Sequence, residues 1–434
     1  MNMFAHTLWG NMRILALLLI TSCAFGQSPE DRTRQVLDQL LANKIGAVYA
    51  KFSPKMRSAI SQETYTTQMA QIVALGPPQK IDAPRTQAVG DLTVVAIGVH
   101  WAPVSLDCKV VWNKAGEIDG QFWSPAEAAK EFQSAPYAHL DSFTSLNVTV
   151  GDDAWKLPGT LTMPKGDGPF PALVLVHGSG PNDRDESVGG AKVFRDLAEG
   201  LASRGVAVLR YEKRTRQYPQ QCAADAKFTV NQETVEDAAR AVALLRTQTK
   251  IDPARVFVLG HSLGGYLAPR ILRRDPKIAG FVVMAGNVRP LEELIVDQTE
   301  YIASLKGNLI AEDQAKLAEI KKNPFAGMSL PAAYMADLKG YHPDAEAKKL
   351  DIPMLILQGE RDYQVTMKDF DLWKSALQAR RNVRFHTYPN SNHLFIAGEG
   401  KSRPEEYQQS GHVDEKVIGD IATWILQDQK SFPG

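Results

Sequence analysis

A serine set between glycines, Gly260-His261-Ser262-Leu263-Gly264-Gly265, follows directly on the apolar run Val256-Phe257-Val258-Leu259 and leads into the helical pattern from Tyr266 to Leu272. This is G-x-S-x-G in a strand-turn-helix setting, which holds a serine hydroxyl on a strained turn at the carboxyl end of a strand. The flanking glycines are required because side chains there would collide with the turn. A hydroxyl is a poor nucleophile at neutral pH, so Ser262 requires a general base that is itself oriented by a carboxylate. On such a framework the order is serine, then acid, then histidine. Asp362 stands in the loop after the apolar run Pro353 to Leu357, and His393 follows the run Val383 to Pro389. Glu360 is the competing acid; His386, inside a strand pattern, and His412, where the last helix begins, are the competing bases. The chemistry would be acyl transfer, whose intermediate needs two oxyanion donors. The Leu263 amide supplies one. The second is expected from Val176-His177-Gly178-Ser179-Gly180, through the Ser179 amide, with Gly178 and Gly180 letting backbone approach the substrate; the alternative is an ordinary glycine-rich turn. Arg184, Lys213 and Arg214 are candidates to bind an anionic substrate group, structural ion pairs being the competing reading.

These residues need a parallel sheet to position them. Pro171 to Val176, Val206 to Leu209, Val256 to Leu259, Phe281 to Met284 and Pro353 to Leu357 are near-continuous apolar runs, as in strands buried on both faces. Helical patterns intervene at Val193 to Ser203 and Val235 to Thr247, which makes a βαβ succession and an open α/β sheet. Phe143 to Val150 and Gly159 to Met163 read as strands preceding it. About 70 residues separate the strands at Phe281 and Pro353, longer than an ordinary connection, and Leu294, Ile295, Tyr301, Ile302, Leu305, Ile310, Leu317 and Ile320 recur there at helical intervals. A helical cap over the sheet's carboxyl edge is expected at about 287–350, against the alternative of a peripheral decoration.

The 434 residues exceed one ordinary core, so two domains are expected. Asp31 to Phe52 reads as one amphipathic helix; β-branched runs at Leu92 to Val99, Leu106 to Trp112 and Glu117 to Trp123, with a turn at Asn113 to Gly116, follow it. This predicts a small α+β unit over residues 27–135, joined through an Ala/Pro/Glu-rich segment to a larger domain over 136–434. Lys+Arg and Asp+Glu each number 49, so no net field draws in nucleic acid or an anionic membrane surface. Arg13 followed by Ile14 to Ile20 and small residues reads as a signal peptide over residues 1–26, too short to span a bilayer. Leu19-Ile20-Thr21-Ser22-Cys23 has the form of a bacterial lipobox, which would lipidate Cys23; Ala24-Phe25-Gly26 has the form of an ordinary cleavage site. Either route exports the protein, to the periplasm or beyond. Cys108 and Cys222 fall in different domains and are expected as two separate, mostly buried thiols, a disulfide formed in an oxidising compartment being the alternative. No CxxC and no His-x-x-x-His occurs, and Phe395 stands where a phosphate loop ending in Gly400-Lys401-Ser402 needs its first glycine, so no metal or nucleotide cofactor is expected.

The strings His177-Gly178-Ser179-Gly180-Pro181-Asn182-Asp183-Arg184-Asp185-Glu186, Leu209-Arg210-Tyr211-Glu212-Lys213-Arg214, Gly260 to Gly265 and Ala285-Gly286-Asn287-Val288-Arg289-Pro290-Leu291 together resemble bacterial α/β-hydrolases of the esterase D type. In that group a DUF3887 domain, similar to nuclear transport factor 2 (NTF2) or cystatin-like folds, precedes the hydrolase. The resemblance is strong from about Leu140 onward and weak before it. It implies hydrolysis of short acyl esters, with Ser262, Asp362 and His393 at the family's triad positions. Similar sequences are also labelled serine aminopeptidases or thioesterases, so a peptidase on the same chemistry is the second reading. The rival from another class is a noncatalytic envelope binding protein that uses the small first domain.

Overall fold

The computed structural model describes residues 28–427 except 90, 103, 126–131, 153, 306, 308, 310 and 326–330. The expected signal segment and Cys23 therefore lie outside the described residues, as does the middle of the interdomain segment. The chain forms two compact units, dividing between Glu131 and Phe132.

In the first unit four helices, α1 (Pro29–Leu41), α2 (Ile45–Tyr49), α3 (Pro54–Ala59) and α4 (Gln62–Val73), precede an antiparallel sheet of β1 (Lys80–Ile81), β2 (Arg85–Val89), β3 (Leu92–His100), β4 (Ser105–Trp112) and β5 (Ile118–Pro125). The order is β1-β3-β4-β5, with β2 also paired to β3. The single helix expected over Asp31 to Phe52 is two. Asn43 takes the left-handed conformation at φ 57°, the Asn43 amide donates to Leu40 O, and the Lys44 amide reaches back to Gln39 O, a Schellman stop. Such stops are most often glycine, so an asparagine inside a continuous apolar period gives little warning. Val36, Leu37 and Leu40 of α1 close over Val95, Ile97, Cys108, Val110 and Trp112, and the buried Trp112 indole donates to Thr33 Oγ1 at 2.8 Å.

The second unit is built on an eight-stranded sheet. Its strands are β6 (Phe143–Val150), β7 (Leu157–Pro164), β8 (Phe170–Val176), β11 (Ala207–Tyr211), β12 (Ile251–His261), β13 (Phe281–Met284), β14 (Met354–Gly359) and β15 (Val383–Tyr388); a short ribbon, β9 (Ser187–Val188) and β10 (Ala191–Lys192), lies apart. The order is β15-β14-β13-β12-β8-β11-β7-β6, parallel from β15 to β11 and antiparallel thereafter. Period-two burial separates two cores. Ala172, Val174 and Val176 of β8 face α8 (Glu236–Arg246), α10 (Ala268–Arg274) and α15 (Met367–Leu377), while Leu173 and Leu175 face α5 (Val193–Ala202) and α16 (Glu415–Leu426). Helices on both faces of a mostly parallel sheet, with β12 running into a serine turn, make this an α/β-hydrolase fold.

Between β13 and β14 lie α11 (Leu291–Ser304), α12 (Ala311–Lys322), α13 (Ala332–Leu338) and α14 (Pro343–Ala347), all in the span where the apolar period predicts helices. They reach the segments that follow β12 and β14: Tyr334 and Leu338 pack with Leu263, Tyr266 and Leu267, and Tyr301 stacks on Tyr363 at 4.9 Å. The root of this insertion is pinned by buried Asp369, whose carboxylate accepts from the Val288 and Arg289 amides and from the Arg289 guanidinium.

Candidate active site

Ser262 sits between β12 and the four-residue helix α9 (Leu263–Tyr266), with φ 51° and ψ −115°. That conformation costs on the order of 1–3 kcal/mol in a residue with a side chain and persists because its surroundings over-determine it. The Ser262 amide donates to Met284 O at 2.9 Å. A Cβ on Gly260 would lie 2.3 Å from Gly264 backbone, and one on Gly264 would lie 2.4 Å from Val176 O, so only glycine fits either side of the turn. As the first residue of α9, Leu263 has an amide with no carbonyl behind it in the helix.

Asp362 and His393 come together from consecutive strand ends. His393 Nδ1 lies 2.7 Å from Asp362 Oδ2, and both side chains are buried. The same carboxylate is filled by three further donors: Gln358 Nε2 at 3.1 Å on Oδ2, and the Gln364 and Val365 amides at 2.7 and 3.0 Å on Oδ1. Four donors fix this carboxylate in place, and its bond to Nδ1 leaves Nε2 of His393 with no partner among the described residues. The His393 ring packs against His261, the residue next to Ser262, with centroids 4.8 Å apart and planes tilted by 44°.

The competing residues point elsewhere. Glu360 accepts from Thr387 Oγ1 at 2.7 Å, His386 lies 3.5 Å from Asp420 on the surface, and His412 lies 3.0 Å from buried Asp196.

The loop after β8 approaches Ser262 closely, since a Cβ on Gly178 would meet Ser262 Cβ at 3.1 Å. The Ser179 amide donates to no group among the described residues. Gly180, at φ 91°, completes the turn. The cationic candidates prove otherwise engaged. Arg214 is buried against Asp237, and Arg184 Nε donates to Glu212 at 2.7 Å with Nη1 on Thr160. Both guanidinium groups make ion pairs, the competing reading of these residues in the sequence, and Arg214, 2% exposed, would have to break a buried pair to reach a substrate.

Residues 193–412 match the prolyl oligopeptidase family. The chain belongs to that family. It is 44% identical to esterase EstD of Thermotoga maritima over 324 residues, 73% of this chain and 76% of the relative. It is 26% identical to esterase FrsA of Klebsiella pneumoniae over 209 residues, 45% of this chain and 46% of the relative. Among solved structures, the acylaminoacyl peptidase of Pyrococcus horikoshii aligns with a TM-score of 0.49 at 13% identity, covering 82% of this chain and 57% of that one.

Within this member of the prolyl oligopeptidase family, a second tier of polar residues backs the site. Glu186, buried and itself at φ 46°, accepts from the Gly178 amide at 2.7 Å and lies 2.9 Å from His261 Nδ1. The other His261 nitrogen faces His393 O at 3.0 Å. Nε2 of His261 thus carries a proton toward the His393 carbonyl, and Nδ1 stands at ion-pair distance from the Glu186 carboxylate. Burial alone would lower the His261 pKa, and the Glu186 charge reverses this and raises it. Burial likewise works to raise Glu186, and His261 overcomes it and holds the carboxyl below its usual range. His177, buried beside Phe194 and Tyr211, is pushed down to about 4 by burial and stays neutral, its Nε2–H on Asp183 O at 3.0 Å. The sequence reading missed Glu186 and His261 as a pair. The only trace was their presence in the two motif strings, because nothing local tells a buried carboxylate from a solvated one. Among the described residues no His/Cys/Asp/Glu group could hold a metal ion. Cys108 and Cys222 are both buried free thiols.

Proposed function

We propose that this protein hydrolyses carboxylic esters, short acyl esters foremost, through an acyl-enzyme on Ser262. The class, a serine ester hydrolase, rests on membership of the prolyl oligopeptidase family and on 44% identity to an esterase over most of both chains. The observation that carries the residue assignment is the buried 2.7 Å contact between His393 and Asp362. His393 takes the proton of the Ser262 hydroxyl as the hydroxyl attacks the ester carbonyl, and then returns it to the departing alcohol. A water, deprotonated by the same imidazole, releases the acid. Asp362 holds the ring and balances the imidazolium charge. The Leu263 and Ser179 amides receive the oxyanion, and the strained turn keeps the first of them in place.

The test is turnover of para-nitrophenyl acyl esters of increasing chain length, with Ser262→Ala and fluorophosphonate labelling alongside. Activity and label should both vanish in the variant, and activity should fall as the acyl chain grows. A wild-type protein that neither turns over nor labels would refute the proposal. Family membership also favours trying aminoacyl amides in the same assay, since the acyl chemistry is shared; amide turnover exceeding ester turnover would make the protein a peptidase.

Residues 1–26 are proposed as an export signal, and the first unit as an NTF2-like module of the DUF3887 kind. Cell fractionation and the mass of the mature N-terminus test the first: a start at Gln27 means ordinary cleavage, a lipid mass on Cys23 an anchored lipoprotein, and a full-length cytoplasmic chain refutes export.

A further inference from the structure

The peptide that joins Gly178 to Ser179 has two polar ends. Its N–H, on Ser179, is the proposed second oxyanion donor. Its carbonyl is Gly178 O, and in a trans peptide the two point in opposite directions, so whatever grips the carbonyl aims the N–H. Gly178 O accepts from Lys213 Nζ at 2.8 Å and from Asn182 Nδ2 at 3.2 Å. Asn182 also donates to Ser179 O at 3.0 Å.

Lys213 is 2% exposed, two residues beyond the end of β11. A buried ammonium is costly to maintain, and packing alone would be met by an apolar side chain of the same length. Its counter-charge is Glu233 Oε2 at 3.5 Å. Glu233 is anchored by Thr215 Oγ1 at 2.7 Å and by the hydroxyl of Tyr334 in α13 at 2.8 Å. The ammonium is therefore fixed and partly neutralised, with a donor left to reach the Gly178 carbonyl. A charge-assisted bond to a carbonyl draws electron density through the peptide and makes its N–H the stronger donor. That gain is realised only when negative charge appears on the substrate oxygen, so it favours the transition state over the bound ester.

We propose that Lys213 is a positioning residue for ester cleavage, acting through the Gly178 carbonyl to aim and polarise the Ser179 amide toward the oxyanion. The inference rests on the roles proposed for Ser262 and Ser179.

The test uses the full chain with Lys213→Met and with Lys213→Met/Glu233→Gln; the second removes both charges, so that no carboxylate is stranded if the single variant does not fold. Removing an oxyanion donor outright lowers kcat about 10²–10³-fold, so mis-aiming one should lower kcat about 10–100-fold with KM within about two-fold. Affinity for an alkylboronic acid, whose tetrahedral adduct places an oxygen in the oxyanion position, should fall by the same factor as kcat. A folded double variant with wild-type kcat and wild-type boronate affinity would overturn the inference, as would a raised KM at unchanged kcat, which would put Lys213 in ground-state binding. Ser262→Ala separates the two levels: turnover surviving in it removes the serine mechanism and this inference together, whereas an inactive Ser262→Ala beside unaffected Lys213 variants removes this inference alone.

Discussion

His393 owes its orientation to a carboxylate that is already full, with four donors around Asp362 and none to spare. Asp362→Asn should therefore preserve the fold but turn the ring's proton the wrong way, lowering kcat by on the order of 10⁴; a loss of less than about ten-fold in ester turnover would argue that another acid orients His393. Glu186 acts one layer further back. Glu186→Gln leaves the buried His261 imidazolium without its counter-charge, and the ring escapes by releasing its proton, so a destabilisation of about 1–3 kcal/mol is expected. The sign with pH follows from the raised His261 and lowered Glu186 pKa values: the pair's contribution is complete between 4.5 and 6.5, is lost as pH rises through the folded His261 value, and is lost again as pH falls through the folded Glu186 value. Urea unfolding on either side of pH 6.5 should show the larger penalty on the acid side, and an equal penalty at both would mean that the pair is not ionised. Ser262, Asp362 and His393 could be chosen as candidates from sequence because the proposed nucleophile, acid and base follow a chain order. The Glu186–His261 pair and the reach of Lys213 to the Gly178 carbonyl could not, since both depend on burial, and burial is a property of the folded chain.

Elements were legible where their periodicity was undisturbed. The strands around Ser262 read as near-continuous apolar runs because both faces of β8, β12, β13 and β14 are covered. The helix that opens the described residues ends earlier than its sequence predicts, since the apolar period continues across Asn43 although the backbone does not. The turn at Asn43 makes its own prediction. Asn43→Val should cost about 1–2 kcal/mol, as a branched side chain resists the left-handed conformation, whereas Asn43→Gly should be neutral or slightly stabilising. Equal thermal midpoints for the two variants would show that the stop is not set by backbone conformation. The helices α3 and α4 escaped notice for a different reason: α3 buries no residue and α4 only Tyr65 and Met69, too few to mark a period.

At the scale of the molecule, acid stability depends on histidines that answer pH in opposite ways. His177, pushed down to about 4 by burial, contributes stability above 6.5 that is lost as pH falls through the window between those values, because the unfolded chain takes a proton there and the folded one does not. The size is on the order of 3 kcal/mol for a shift from 6.5 to about 4. Asp196, raised to about 6 by burial, works in the opposite sense over much of the same range, since its contribution is lost as pH rises through 6. The stability difference between wild type and His177→Gln isolates the histidine: it should move against the wild type as pH falls from 6.5 to 4, and a difference curve flat across that window would show His177 to be protonated in the fold. Sequence by itself determined the parallel α/β framework, the serine turn, and the loops that carry Asp362 and His393, because hydrophobic period and chain order are local or ordinal properties. Only the tertiary structure decided that Arg184 and Arg214 serve ion pairs, that His261 shares a charge with Glu186, and that Lys213 reaches the Gly178 carbonyl. Each of these depends on which groups lose their water together when distant segments pack, and the price of an unpaired charge in that setting selects the partner.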